Sequence, residues 1–235
     1  MSIQLLESLR GQLLVSCQAY PGEPMAEPSM MAAVAESVVL GGARAIRAQG
    51  LADIAAIRNR VNVPVIGLVK VGHSDVYITP TMNDALAVVR AGAEIIAIDG
   101  TTRPRPDRRD LAESIRAVHE AGGLVMADCS SLEDAAHSVT AGADCLASTL
   151  SGYTGLTRTS GPDLDLISGM AAQFHVPVFA EGRIRTPDDA LNCLRRGAHA
   201  VVVGSAITHP MRICQRFATA VEQMSTTQNG STPAP

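Results

Sequence analysis

The amino-acid sequence predicts one (β/α)₈ TIM barrel, and three observations carry the prediction. Short apolar runs alternate with stretches of helical spacing. A glycine stands at several junctions between a helical stretch and the next run. The runs number eight, with starts 20 to 32 residues apart. Repeated βα units have that spacing, and 235 residues is close to the roughly 250 that an eight-unit barrel needs.

Taken in order, Leu13–Ala19 and Ala43–Ala48 open the series, and Leu51–Arg60 follows at helical spacing. Val63–Lys70 is the most apolar run. Met82–Arg90 begins behind Thr81 and Asp84, and Ala91-Gly92-Ala93-Glu94 leads from it into Glu94–Asp99. Leu111–Glu120 passes through Ala121-Gly122-Gly123 into Leu124–Asp128. Ser131 and Asp134 mark the start of Leu132–Thr140, and Ala141-Gly142-Ala143-Asp144 separates it from Cys145–Leu150. Pro177–Glu181 is followed by Thr186-Pro187-Asp188-Asp189, an N-cap threonine before a first-turn proline and acids. Arg196-Gly197-Ala198-His199 then precedes Ala200–Ser205. Continuous β-branched or Leu-rich runs are what strands covered on both faces require. Glycine just after a helix accepts the left-handed backbone that ends it. A doubly wound open sheet fits less well, because no GxGxxG follows the first run. The barrel is expected over residues 1–224 as a single domain. The Ser-, Thr-, Gln-, Gly- and Pro-containing segment 225–235 reads as a disordered tail.

Composition narrows the partners. Hydrophobic residues make up 46% of the chain but aromatics only 3%, with no Trp, so the core is built from Ala, Val, Ile and Leu. A formal charge of −4 gives no electrostatic basis for binding nucleic acid or an anionic membrane. No apolar segment reaches the roughly 20 residues that span a bilayer, and no basic stretch leads into a long apolar run at the N-terminus. The five cysteines, Cys17, Cys129, Cys145, Cys193 and Cys214, include no CxxC pair, which suits a reducing, cytoplasmic compartment.

In such barrels the active site lies at the carboxyl ends of the strands. The ends of the eight runs are Gln18, Arg47, Lys70, Asp99, Asp128, Thr149, Glu181 and Ser205. Strand ends meet solvent in any barrel, yet so consistent a set of polar ends is notable in a chain only 18% charged. Lys70 closes the most apolar run, where burial favours a neutral amine fit to act as a base or to form a Schiff base. Glu181 either exchanges a proton opposite Lys70 or holds Lys70 as an ion pair. Arg47 and Asp128 suit substrate hydroxyls or an amide, or else serve as partners to the other charges. Glu181-Gly182-Arg183 and Gly204-Ser205-Ala206 follow the seventh and eighth runs, where barrels commonly bind phosphate through exposed backbone N–H groups. The six histidines (His73, His119, His137, His175, His199, His209) show neither HxH nor HExxH spacing, so no metal is expected. The absence of GxSxG argues against a serine hydrolase.

Several strings resemble the N-acetylmannosamine-6-phosphate 2-epimerases. They are Leu14-Val15-Ser16-Cys17-Gln18-Ala19, Ala45-Ile46-Arg47-Ala48-Gln49-Gly50, Gly67-Leu68-Val69-Lys70, Tyr77-Ile78-Thr79-Pro80-Thr81 and Met126-Ala127-Asp128. Further along come Ser148 to Thr154, Ala180-Glu181-Gly182-Arg183-Ile184 and Val203 to Thr208, in the family's order over about residues 3–220. The resemblance implies a barrel that interconverts N-acetylmannosamine 6-phosphate and N-acetylglucosamine 6-phosphate in sialic acid and amino sugar breakdown. It implies no obligatory metal or organic cofactor, and often a homodimer. It assigns Lys70 as catalytic base and Glu181 as its catalytic companion. Gln18, Arg47 and Asp128 would bind the sugar, joined by Thr149 from the strand ends. Gly182, Arg183, Gly204 and Ser205 would surround the phosphate. Where the family commonly has Arg after Ala-Ile-Thr, this chain has His209, with Arg212 three residues on. His209 is therefore expected to donate a hydrogen bond to the phosphate or Arg212 to reach back to it. A Schiff-base aldolase on the same Lys70 and a non-catalytic sugar-phosphate sensor are the competing readings.

Overall fold

The computed structural model describes residues 2–72, 74–155 and 160–229 and closes eight parallel strands into one barrel. The strands are β1 (Leu13–Cys17), β2 (Ala45–Gln49), β3 (Val65–Leu68), β4 (Ile95–Asp99), β5 (Leu124–Asp128), β6 (Cys145–Ala147), β7 (Val178–Glu181) and β8 (Ala200–Val203). They pair in sequence order, and β1 closes on β8 through Leu13↔Val201, Leu14↔Val202 and Val15↔Val203. Helix α1 (Ser2–Ser8) precedes the first strand. Helices α2 (Pro28–Leu40), α3 (Leu51–Arg58), α4 (Met82–Arg90), α5 (Leu111–Glu120), α6 (Leu132–Ala141), α7 (Leu164–Gln173) and α8 (Pro187–Arg195) follow the first seven strands, and α9 (Ser205–Thr208) and α10 (Pro210–Asn229) follow the eighth.

Period-2 alternation divides each strand between two layers of core. Leu14, Ala45, Ile66, Leu68, Ile95, Ala97, Leu124, Met126, Ala147, Phe179 and Val202 fill the barrel interior. Val15, Ile46, Val65, Ile96, Val125 and Leu146 point outward onto the helices. Small residues set the helix–strand distance. A Cβ on Gly67 would stand 2.6 Å from Val88 Cγ1, 2.7 Å from Ala93 Cβ and 3.0 Å from Ile54 Cδ1, so α3 and α4 close on β3 only because that position is glycine. Leu6 and Leu9 cap the amino end of the barrel by joining the interior cluster. There the His199 ring meets the Leu6 carbonyl at 2.8 Å, and the Gly11 N–H donates to the His199 carbonyl at 2.7 Å.

The local signals in the sequence take the expected form. Thr81 with Asp84 and Thr186 with Asp189 make reciprocal capping boxes, and the Ser131 hydroxyl accepts from the Asp134 N–H. Gly142 and Gly197, at the ends of α6 and α8, lie at φ 100° and 94°. The strands stop sooner than their apolar runs do. Gln18, Lys70 and Thr149 lie one or two residues beyond their ladders, and Ser205 begins α9 rather than ending β8. The backbone of α10 continues through Asn229, five residues past the boundary expected at 224, while 230–235 and His73 lie outside the described residues.

Candidate active site

Counting by twos from the interior residues leads directly to the polar floor of the barrel mouth. The steps run Leu14–Ser16–Gln18, Ala45–Arg47, Ile66–Leu68–Lys70, Leu124–Met126–Asp128, Cys145–Ala147–Thr149 and Phe179–Glu181. They converge around a cavity of about 470 Å³ lined by Gln18, Arg47, Lys70, Thr149 and Glu181, with Gly182, Arg183, Gly204, Ser205, His209 and Arg212 from the loops after β7 and β8. Asp99 and Asp128 are not part of this wall. Asp99 turns to the Thr101 hydroxyl at 2.6 Å and to Arg103 Nη2 at 2.8 Å. Asp128 is wholly buried behind Arg47 and Thr149.

Arg47 organises the floor. It is only 1% exposed, and its Nη2 meets Asp128 Oδ2 at 2.6 Å while its Nη1 meets Asp128 Oδ1 at 3.1 Å. The same Nη1 lies 3.1 Å from Glu181 Oε2. Burial works against the guanidinium charge, but Asp128 and Glu181 outweigh it and hold Arg47 above its ordinary range. A buried cation between two carboxyls keeps its charge because its partners are fixed before any ligand arrives.

Lys70 donates to Gln18 Oε1 at 2.9 Å, and the Gln18 amide nitrogen donates to Ser16 Oγ at 2.8 Å, which fixes the orientation of that amide. The ion pair with Glu181 weighed from the sequence is not formed here. Glu181 pairs with Arg47 instead. Burial, then the Arg47 charge, push Lys70 below the ordinary lysine range, with Glu181 and Asp128 opposing. Burial raises Glu181 above the ordinary carboxylate range, and the nearby Asp128 adds to that rise against the pull of Arg47. An amine displaced towards its neutral form thus shares a cavity with a carboxyl displaced towards its protonated form. This is the pairing proton transfer requires. A short return of chain holds Lys70 in place: it bridges Ile78 in antiparallel sense, and the Thr79 N–H donates to the Val69 carbonyl at 2.7 Å.

The loop end of the cavity sorts its cations. Both ring nitrogens of His209 are occupied: Nε2 is 3.0 Å from Glu23 Oε1, and Nδ1 accepts the Arg212 N–H at 3.3 Å. Nδ1 being an acceptor, the ring proton lies on Nε2 and faces Glu23, so His209 clasps the loop after β1. Arg183 sits at φ 56°, a left-handed backbone that is unusual for a non-glycine residue, and its guanidinium binds the carbonyls of Ser151 and Gly161 at 2.6 and 2.8 Å. Arg212 instead lies over the Tyr20 ring, 5.8 Å from its centroid, with Lys70 Nζ 5.0 Å from the same centroid.

Ser16, Tyr20, Tyr77 and Tyr153 also line the cavity, none of them singled out from the sequence as a site residue. Counting by twos from Leu14 would have found Ser16. The tyrosines carry a signal of another kind. The chain has three in all, and all three face this cavity. Among the described residues no group of three or more metal-capable side chains converges.

A family model described as "Putative N-acetylmannosamine-6-phosphate epimerase" matches residues 31–223. A protein of Cutibacterium acnes named "Putative N-acetylmannosamine-6-phosphate 2-epimerase" is 50% identical over 218 residues, covering 91% of this chain and 95% of that one. A protein of the same name from Clostridioides difficile is 43% identical over 221 residues, covering 93% and 99%. The solved structure of the N-acetylmannosamine-6-phosphate 2-epimerase from Clostridium perfringens superposes with a TM-score of 0.89 at 38% identity, over 92% of this chain and 96% of that one.

Proposed function

This chain belongs to the N-acetylmannosamine-6-phosphate epimerase family, and we propose that it is the carbohydrate 2-epimerase of that sugar phosphate, with Lys70 and Glu181 moving the proton at C2. The C2 epimer is N-acetylglucosamine 6-phosphate, so the reaction interconverts the two amino sugars, a step of sialic acid and amino sugar catabolism. The opposite displacements of Lys70 and Glu181 in one cavity carry the assignment of roles.

The chemistry follows from the substrate. The hydrogen at C2 is acidic only beside a C1 aldehyde, so the sugar reacts in its open form. The neutral Lys70 amine takes that hydrogen, and the electrons move towards O1 as an enolate forms. Arg47, charged and fixed, supports the developing negative charge at the cavity floor. Glu181 returns a proton to C2 on the opposite face. Gln18 and Ser16 bind sugar oxygens from the β1 side, and Gln18 aims Lys70. Asp128, buried behind the wall, acts through Arg47 and Thr149 instead of touching the sugar.

The phosphate lies against the backbone of Gly182, Arg183, Gly204 and Ser205. Its cation is Arg212, because the His209 ring and the Arg183 guanidinium are engaged with protein atoms. Remote phosphate binding of this kind fixes the reacting carbon between base and acid.

A homodimer is proposed on one observation. Helix α10 exposes Cys214, Phe217, Val221 and Met224, a 3-4-3 stripe along its length, with Phe217 71% exposed. A cytoplasmic setting suits the free thiols of Cys17, Cys129, Cys145 and Cys193, all of them buried. Proton NMR of either pure epimer with the protein tests the activity. Approach to the same mixture from both sides is expected, whereas cleavage products, or a substrate adduct on Lys70 trapped by borohydride, would establish the aldolase instead.

A further inference from the structure

Thr149 stands where two carboxyls meet. Its hydroxyl oxygen is 2.7 Å from Asp128 Oδ1 and 3.0 Å from Glu181 Oε2. One hydroxyl carries one hydrogen, so it cannot donate fully to both. The remaining donors decide between them. Asp128 accepts from Arg47 Nη1 and Nη2, and the hydrogens of Nη1 are directed at Asp128 Oδ1 and at Met126 Sδ, 3.4 Å away. Glu181 gains the nearby charge of that guanidinium but no aligned hydrogen bond from it, which leaves Thr149 as the one hydrogen-bond partner of its carboxyl among the described residues. A carboxylate in so dry a place needs donors, and Asp128 has them.

We propose that Thr149 is a positioning residue: its hydroxyl is the donor that reaches the Glu181 carboxyl, and it holds that carboxyl in place and supports its charge once the proton has gone to C2. This rests on the roles given above to Lys70 and Glu181. Around the pair stand Arg47 from β2, Lys70 beyond β3, Tyr77 from the following loop and the Cys145 thiol of β6; burial pushes Glu181 up, and the Arg47 charge and the Thr149 hydrogen bond oppose that rise. In turnover Lys70 takes the C2 proton and becomes an ammonium. Glu181 gives its proton to the opposite face and becomes a carboxylate. The Thr149 hydroxyl supports that new charge. Exchange with water moves one proton off Lys70 and one onto Glu181.

The test is a carboxyl titration by NMR of the resting protein carrying ¹³C-labelled glutamate, with Glu181 assigned from Glu181→Gln. Thr149→Val removes the donor that supports the Glu181 carboxylate, so the Glu181 midpoint is expected to rise by about one pH unit, a roughly tenfold change in its proton affinity. Thr149→Ser keeps the hydroxyl and is expected to titrate like the wild type. In turnover Thr149→Val should lower kcat about tenfold with KM changed less than about twofold, and Thr149→Ser should restore kcat. An unmoved midpoint in the valine variant, or a serine variant as impaired as the valine one, would overturn the proposal. The titration needs no substrate, so an inactive wild-type protein would count against the epimerase assignment and not against the role of the Thr149 hydroxyl at Glu181.

Discussion

At Lys70 and Glu181 the same physical cause, loss of solvent, pushes two groups in opposite directions, one towards a neutral amine and the other towards a neutral acid. That has a stability consequence with a definite sign. The folded Glu181 carboxyl titrates above its unfolded counterpart, near about 4.3, so its contribution to folding is full below that pH and is lost as pH rises through the folded value. Glu181→Gln removes the loss. The variant should therefore gain melting temperature over the wild type at pH 8 and gain less at pH 5; a difference independent of pH would contradict the assignment. At the other end of the cavity, Arg212→Ala should raise KM for the sugar phosphate about 10- to 100-fold, the range for losing a hydrogen bond to a charged group, while His209→Gln should change it little. Steady-state kinetics decide this, and the reverse ranking would make His209 the phosphate ligand. Much of this residue scale was legible in the sequence. Arg47, Lys70 and Glu181 could be read because period-2 alternation carries a side chain at the strand end into the barrel mouth, whereas Asp128 follows the same alternation and ends buried behind Arg47 and Thr149. Their pairing could not. Spacing does not say that Arg47 would take Glu181 away from Lys70, or that Glu23 would occupy His209, because those contacts join strands and loops far apart in the chain.

The strands were legible in number and order, and least so at their ends, while helices α1, α2, α7, α9 and α10 were not read from the sequence. Lys70 and Thr149 read as strand residues because the apolar runs continue past the last ladder hydrogen bond, and composition does not register where pairing stops. The return that bridges Lys70 to Ile78 has no periodic signature and was missed. Helix starts were clear because a threonine or serine cap needs its partner three residues on, as Thr81–Asp84 and Thr186–Asp189 show. The strand that carries Lys70 is also the one with least room. Gly67→Ala would drive a methyl into Val88 and Ala93, and is expected to cost about 1–3 kcal/mol of stability. Urea unfolding measures it, and an unchanged midpoint would mean that α4 can move away from β3 without penalty. Because Lys70 follows β3 directly, kcat should fall along with stability in that variant.

On the scale of the whole molecule, the barrel was predicted from an alternation repeated eight times, a signal that no single element could supply. The exposed stripe of α10 lies within the span assigned to the barrel, just before the expected tail at 225, and its apolar spacing went unread. If a second copy covers that stripe, light scattering should give twice the 24.5 kDa chain mass, and Phe217→Asp should halve it. A wild-type monomer would end the proposal. The central claim, that this barrel inverts C2 through a proton taken by Lys70, meets its most direct test in D₂O. NMR of N-acetylmannosamine 6-phosphate with the wild-type protein should show deuterium arriving at C2 as the gluco epimer forms. Lys70→Ala, folded as judged by circular dichroism, should show neither deuterium nor epimer. Product without deuterium at C2, or exchange that survives in Lys70→Ala, would contradict it.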